Sequence, residues 1–197
     1  MRINGLNKSC LAAGVVLAGA CASVNGAILN YQAVLSGPNE APPNASPGVG
    51  FATFDFDTVL HTMHIHVTFS GLLGNVTASH IHSATAVAGT GTAGVATTTP
   101  TFAGFPSGVT SGVYDNTLDL TQTTSWNPAF ITANGGTTAT AESAFMAGIA
   151  AGKAYLNIHT SVVPGGEIRG FLVLVPAPSS LGLAGVGGLL IARRRRR

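Results

Sequence analysis

The stretch HTMHIHVTFSG, residues 61–71, constrains the fold more than any other part of the chain. Met63, Ile65, Val67 and Phe69 fall on one side of a period-two pattern, and Thr62, His64, His66 and Thr68 fall on the other. A helix would scatter these residues around its axis, whereas a half-buried antiparallel strand sorts them onto two faces. The preceding GVGFATFDFD repeats the pattern, with Ala52, Phe54 and Phe56 set against Phe51, Thr53 and Asp55. Similar runs begin at Ile28 and recur at 76–82, 112–120, 153–159 and 167–174, punctuated by turn residues such as Gly37, Pro38 and Asn39.

Helix is scarce. Ala141, Ala144, Phe145, Gly148 and Ile149 recur at helical spacing, which predicts one short helix over 139–151 with Gly152 as its stop; a weaker turn is expected at 126–131. The Thr-, Gly- and Ala-rich stretch 83–111 reads as a long loop with room for one edge strand. The expected fold is all-β, an antiparallel β-sandwich or flattened Greek-key barrel with one short helix.

Both ends of the chain have a different composition. Arg2 and Lys8 precede an apolar stretch and then small residues, which predicts a secretory signal peptide over 1–26 cleaved after Ala20, Ala22 or Gly26. Cys10 and Cys21 both lie within this leader, so cleavage after Ala22 leaves a body without thiols. At the other end, VPAPSS is followed by an apolar run at 181–192 and by Arg193, Arg194, Arg195, Arg196 and Arg197. Twelve helical residues span ~18 Å, short of a ~30 Å hydrocarbon core. The run is too short for a permanent anchor, but the arginines would hold it transiently at the cytoplasmic face of the inner membrane.

The segment 175–197 resembles the PEP-CTERM sorting signal, in which a proline motif, a short apolar helix and an arginine cluster occur in that order. Val175, Pro176, Ala177 and Pro178 match its motif, with Ala177 where the motif has Glu. The resemblance implies export machinery and an exosortase as partners, removal of the tail, and a product that is secreted or held at the cell surface.

The overall positive charge belongs to these ends. Between them stand two basic residues, Lys153 and Arg169, against seven acidic ones, a net −5 with histidine neutral. A body of that charge without basic stripes excludes nucleic acid as a partner class. GTGTAG at 89–94 has the spacing of a dinucleotide loop, but VATTTP follows it where a helix is required, so it reads as surface loop. No nucleophile elbow, zinc-protease motif or phosphate loop occurs, and carboxylates are too few to nominate an acid/base pair.

The histidines carry the remaining chemistry. His64 and His66 share one strand face, which reads as a solvated polar face. His80 and His82 likewise share a face, where residues two apart sit ~6.5 Å from each other, close enough for both imidazoles to reach one metal ion. His159 at the end of YLNIH is the candidate third ligand, with Asn157 or Glu167 as supporting residues.

Taken together, YQAVLSGPNEAPPNASPGVGFATFDF, FSGLLGNVTASHIHSA and KAYLNIHTSVVPGGEIRGFL resemble the CHRD domain, over a body spanning 28–174. The elements that carry the likeness are Asn39-Glu40 with Pro42-Pro43, His80-Ile81-His82, and 155–159 with Gly165, Gly166, Glu167, Arg169 and Gly170. That resemblance implies an extracellular β-rich module; with the sorting-signal resemblance and the absence of catalytic constellations, the leading expectation is a noncatalytic, matrix-associated module with extracellular polysaccharide or a surface protein as partner.

A fainter likeness to copper/zinc superoxide dismutase, whose fold is an immunoglobulin-like sandwich, follows the order Gly71-Leu72, His80 and His82, then His159. It implies a competing function, a copper- or zinc-binding and redox-active domain using those three histidines. The chain departs from it in lacking a bridging histidine after His82 and a zinc-ligand cluster in the next loop. Arg169, two residues from Glu167, is expected to form an ion pair with it that organises the GGEIRG strand.

Overall fold

The computed structural model describes residues 28–176. The predicted signal peptide, Ala177, Pro178, the apolar run and the arginine cluster lie outside the described residues.

The alternating segments form eight strands: β1 Ile28–Ser36, β2 Val49–Asp57, β3 Thr62–Ser70, β4 Val76–His82, β5 Gly112–Asp119, β6 Tyr155–Thr160, β7 Ile168–Phe171 and β8 Val173–Leu174. They build one curled sheet in the order β4-β6-β7-β1-β2-β3-β5, with β8 also on β1 and every pairing antiparallel. The all-β expectation therefore holds, in the form of a curled half-barrel. The period-two pattern fixes which face is inside: Ala52, Phe54 and Phe56 of β2 and Met63, Ile65, Val67 and Phe69 of β3 are buried.

A curled sheet leaves two edges, and the segment 83–111 runs between them from β4 to β5. It is the long loop expected, exposed over 86–92 and carrying isolated bridges at Val95 and Thr97 in place of an edge strand, but much of the rest is held against the sheet. Ala96 N donates to Ile81 O, Phe102 N to Ser79 O and Gly108 N to Val76 O, so the segment satisfies the free edge of β4. Phe102 and Phe105 then pack on Tyr114 of β5, at ring separations of 5.8 and 5.0 Å. Sparse charge and many small residues allow this irregular backbone to pack closely where it meets the sheet.

Two helices cover the concave side, α1 Pro128–Ala133 and α2 Thr138–Ala150. Asn127 caps α1 by accepting from Ala129 N, and Thr137 and Thr140 form a reciprocal capping box on α2. Phe145 of α2 enters the core against Phe56 and Trp126. The weaker turn predicted at 126–131 is realised as α1.

The GGEIRG strand is organised differently from expectation. The Glu167 carboxylate is fully buried and accepts hydrogen bonds from Ser46 Oγ (2.6 Å), Thr160 Oγ1 (2.6 Å), Leu73 N (2.6 Å) and Gly74 N (3.2 Å). Arg169 points elsewhere, so the predicted Glu167–Arg169 ion pair does not form. Strand β7 starts only at Ile168, which frees Glu167 from the alternation that would have placed both side chains together. Burial pushes the Glu167 carboxyl upward, but its hydrogen bonds from Ser46, Thr160, Leu73 and Gly74 outweigh that and hold it below its ordinary value.

A depressed carboxyl contributes stability above its unfolded pKa and loses it as pH falls through the folded value. Glu167→Gln, which puts an NH2 where an oxygen now accepts, is expected to cost about 3 kcal/mol at pH 7 and much less near pH 3. Urea unfolding at both pH values checks this; an equal loss at the two would refute the assignment.

Candidate functional site

Strand β6 pairs with β4 in the register Ala78↔His159, His80↔Asn157 and His82↔Tyr155. Ile81, Leu156 and Ile158 fill the core on one face, so alternation turns His80, His82, Tyr155, Asn157 and His159 to the other. The register brings the three predicted histidines together: His80 lies 4.7 Å from His82 and 4.8 Å from His159, ring centre to ring centre. One ligand nitrogen from each ring falls within 4.8 Å of those of the other two.

Each ring is oriented by the main chain. His80 Nδ1 contacts Pro100 O at 2.8 Å, His82 Nδ1 contacts Ala93 O at 2.7 Å, and His159 Nδ1 contacts Pro164 O at 2.9 Å. A carbonyl oxygen only accepts, so each Nδ1 carries the proton and donates. In the neutral rings all three Nε2 atoms therefore present lone pairs. Those of His80 and His159 face each other at 3.1 Å, and Nε2 of His82 is buried without a partner.

Burial pushes the pKa of both His80 and His82 down to about 4, against the raising effect of their carbonyl bonds, and that of His159 is lowered for the same reason. At neutral pH the cluster is thus a set of unprotonated donors, the state a metal ligand requires. Neither Asn157 nor Glu167 supplies the supporting hydrogen bonds expected of them; three carbonyls do. Glu167 serves the four donors described above. The Asn157 Oδ1 is buried without a partner.

The residues beside the cluster carry roles that the sequence did not assign. Tyr155 stacks on His82 at 4.7 Å, and the Arg169 guanidinium lies over the Tyr155 ring at 4.6 Å. Arg169 donates through Nε to Asn39 O and through Nη1 to Gly91 O (2.7 Å). It thereby fastens the segment that holds Ala93, and so His82, to the Pro-rich turn after β1. The signal for Tyr155 was present, since alternation in 153–159 already groups Tyr155 with Asn157 and His159.

Glu40 is 7% exposed, and its Oε2 stands 3.8 Å from Arg169 Nε, a long pairing because the arginine spends its N–H groups on carbonyls. Burial raises Glu40 to about 7, against the lowering effects of Arg169 and of the Ala41 amide. Gly166, at φ +126°, brings its backbone against Asn157 and Glu40, where a Cβ would meet Glu40 Oε1 at 2.9 Å. Gly170 makes a comparable close approach to the Val34 carbonyl of β1.

His64 and His66 are not part of this group. They stand exposed on β3, where His64 Nε2 and His66 Nδ1 contact Asp115 at 3.1 and 2.8 Å.

Fold and site together define an all-β domain, a single curled sheet carrying a three-histidine cluster oriented by main-chain carbonyls beside a buried Arg–Glu pair. The family that has this pattern of motifs is the CHRD domain: its model matches residues 31–172, and the chain belongs to that family. No curated protein and no solved structure matches the chain.

Because the folded pKa of Glu40 lies above its unfolded value of about 4.5, its contribution to stability is full below that value and is lost as pH rises through about 7. Glu40→Gln, permanently neutral, escapes this loss. Thermal unfolding in chelator is expected to show the Tm of the variant rising relative to the parent between pH 5 and pH 8; a constant difference would contradict the raised value.

Proposed function

We propose that this CHRD domain binds a copper or zinc ion through Nε2 of His80, His82 and His159. The observation that carries the reading is the clustering of three rings whose ligand nitrogens lie within 4.8 Å of one another, each with its Nδ1 against a main-chain carbonyl, which leaves Nε2 of every ring free to bind. Metal-ligating histidines are oriented in this way by hydrogen bonds at their other nitrogen. Imidazole donors suit both ions, and the general order of divalent affinities favours copper(II) over zinc. Three protein ligands leave a coordination position for water or a small ligand, so the redox-active alternative follows from the same site.

The purified protein, made without affinity-tag histidines in medium containing copper and zinc, is expected to hold near-stoichiometric metal. His80→Ala/His82→Ala, or His159→Ala alone if the double variant unfolds, is expected to lose it while keeping the parent far-UV spectrum. Metal retained by a folded variant, or none in the parent after reconstitution with either ion, would end the proposal.

The domain acts outside the cell in this reading, as a noncatalytic binding module associated with matrix or surface proteins. The leader over 1–26 and the VPAP, apolar and arginine segments over 175–197 support export, transient inner-membrane anchoring and exosortase processing. Intact-mass measurement of the protein recovered from an exosortase-bearing host is expected to lack both the leader and Arg193 to Arg197. A recovered extracellular form that still carries the arginines would rule out processing.

A further inference from the structure

The outward face of the sheet has a charged end and an uncharged end. Asp55, His64, His66 and Asp115 crowd the first. At the second, Val34 of β1 pairs with Phe51 of β2, Phe51 with Thr68 of β3, and Thr68 with Val113 of β5. Val34, Phe51 and Val113 are 63%, 41% and 60% exposed, an apolar row that burial in the core does not explain.

Two clefts lie on either side of the Val34–Phe51 pair. One, of about 650 Å³, is lined by Val34, Gln32, Phe171 and Val173, with the Pro-rich turn and Thr90 as its walls. The other, of about 570 Å³, is lined by Val49, Phe51, Thr68 and Val113. Both volumes fall in the range of ligand sites. From β8 to β5 the row crosses four strand spacings, or about 19 Å.

We propose that this track binds an extended chain of a neutral polysaccharide. Flat apolar groups, the rings of Pro38, Pro42, Pro43 and Phe171, line the larger cleft together with the uncharged hydrogen-bonding groups of Gln32 and Thr90, and Thr68 lines the other. A neutral sugar chain has the matching surface, C–H faces interleaved with hydroxyls. Among the residues lining both clefts the charged ones are Glu40 and Arg169, which are 7% and 3% exposed and turned to each other, so the accessible surface is uncharged. A polyanion would meet a net-acidic body and find no accessible cation here to pair with. Arg169 ties the walls of the larger cleft together through Asn39 O and Gly91 O, so the track is formed before a ligand arrives.

This inference rests on the extracellular reading and not on the metal site, and a chelator separates the two. The test is electrophoresis of the full chain through native gels containing β-glucan, xylan, galactomannan or alginate, with and without EDTA. At least one of the three neutral polymers is expected to retard the protein with or without EDTA, and alginate is not. Val34→Thr/Phe51→Thr keeps strand-favouring residues and is expected to bind about tenfold more weakly, the size expected when two apolar side chains lose contact. Should that variant misfold, Gln32→Ala/Thr90→Ala at exposed positions is expected to weaken binding as well, whereas Asp115→Asn at the charged end leaves it intact. Retardation by none of the neutral polymers, stronger retardation by alginate, dependence on metal, or unchanged binding by a folded track variant would each overturn the proposal.

Discussion

The carboxylate of Glu167 is a buried charge balanced by hydrogen-bond donors alone. Its four donors come from three separate stretches of chain: Ser46 before β2, Leu73 and Gly74 between β3 and β4, and Thr160 at the end of β6. Desolvating a carboxylate costs several kcal/mol, so such a group is stable only where every one of those stretches is in place. One side chain thus makes the closure of the sheet cooperative: β2, β4, β6 and β7 reach their positions together or the charge is left unpaired. Asn44 reinforces the junction by donating to the main-chain oxygen of Glu167 at 3.0 Å.

With that corner fixed, the histidine face inherits its geometry from main-chain groups. The segment 83–111 has two jobs that are physically the same job. By hydrogen-bonding along β4 it removes an open sheet edge, and the carbonyls of Ala93 and Pro100 that emerge from it set the tautomers of His82 and His80. The third carbonyl, Pro164, belongs to the turn that precedes Glu167. Main-chain acceptors are rigid where side-chain acceptors would need rotamers held in place, and they add no charge to the site. The histidines therefore stay neutral through burial, without a carboxylate to raise their pKa values, and His80 and His82 remain available as ligands well below pH 7.

Much of the architecture was legible because period-two alternation is a direct projection of the sheet's two faces onto the sequence. It located β2, β3, β4 and β5 within a residue or so at their ends and grouped His80 with His82 correctly. It failed where the backbone departs from the pleat. The predicted strand over 167–174 breaks around Leu172, whose N–H leaves β1 to donate to Ala154 O, and Glu167 falls outside the strand altogether. The partners of the three Nδ1 atoms lie 20, 11 and 5 residues away in irregular chain, where no residue type marks a carbonyl for duty. Glu40 illustrates the gap between recognising a motif and understanding it. The sequence singled out Asn39-Glu40 with Pro42-Pro43, but only the fold reveals that the turn exists to meet Arg169.

The same turn explains why a metal-type cluster and an uncharged outer track can coexist on so small a domain. A guanidinium left open to solvent beside the histidines would oppose a cation and would also make the neighbouring cleft an anion site. Arg169 is instead consumed: Tyr155 and Phe171 cover its planar face, Asn39 and Gly91 accept its N–H bonds, and Glu40 stands opposite its charge. Its positive field is thereby confined to a floor that holds two loops, and neither the histidine nitrogens nor the cleft surface has to accommodate an exposed cation. Conservative replacement by lysine would not reproduce this, since a point charge cannot fork between two carbonyls while lying flat on aromatic rings. The arginine is best understood as the part that lets two chemically different surfaces share one rigid frame.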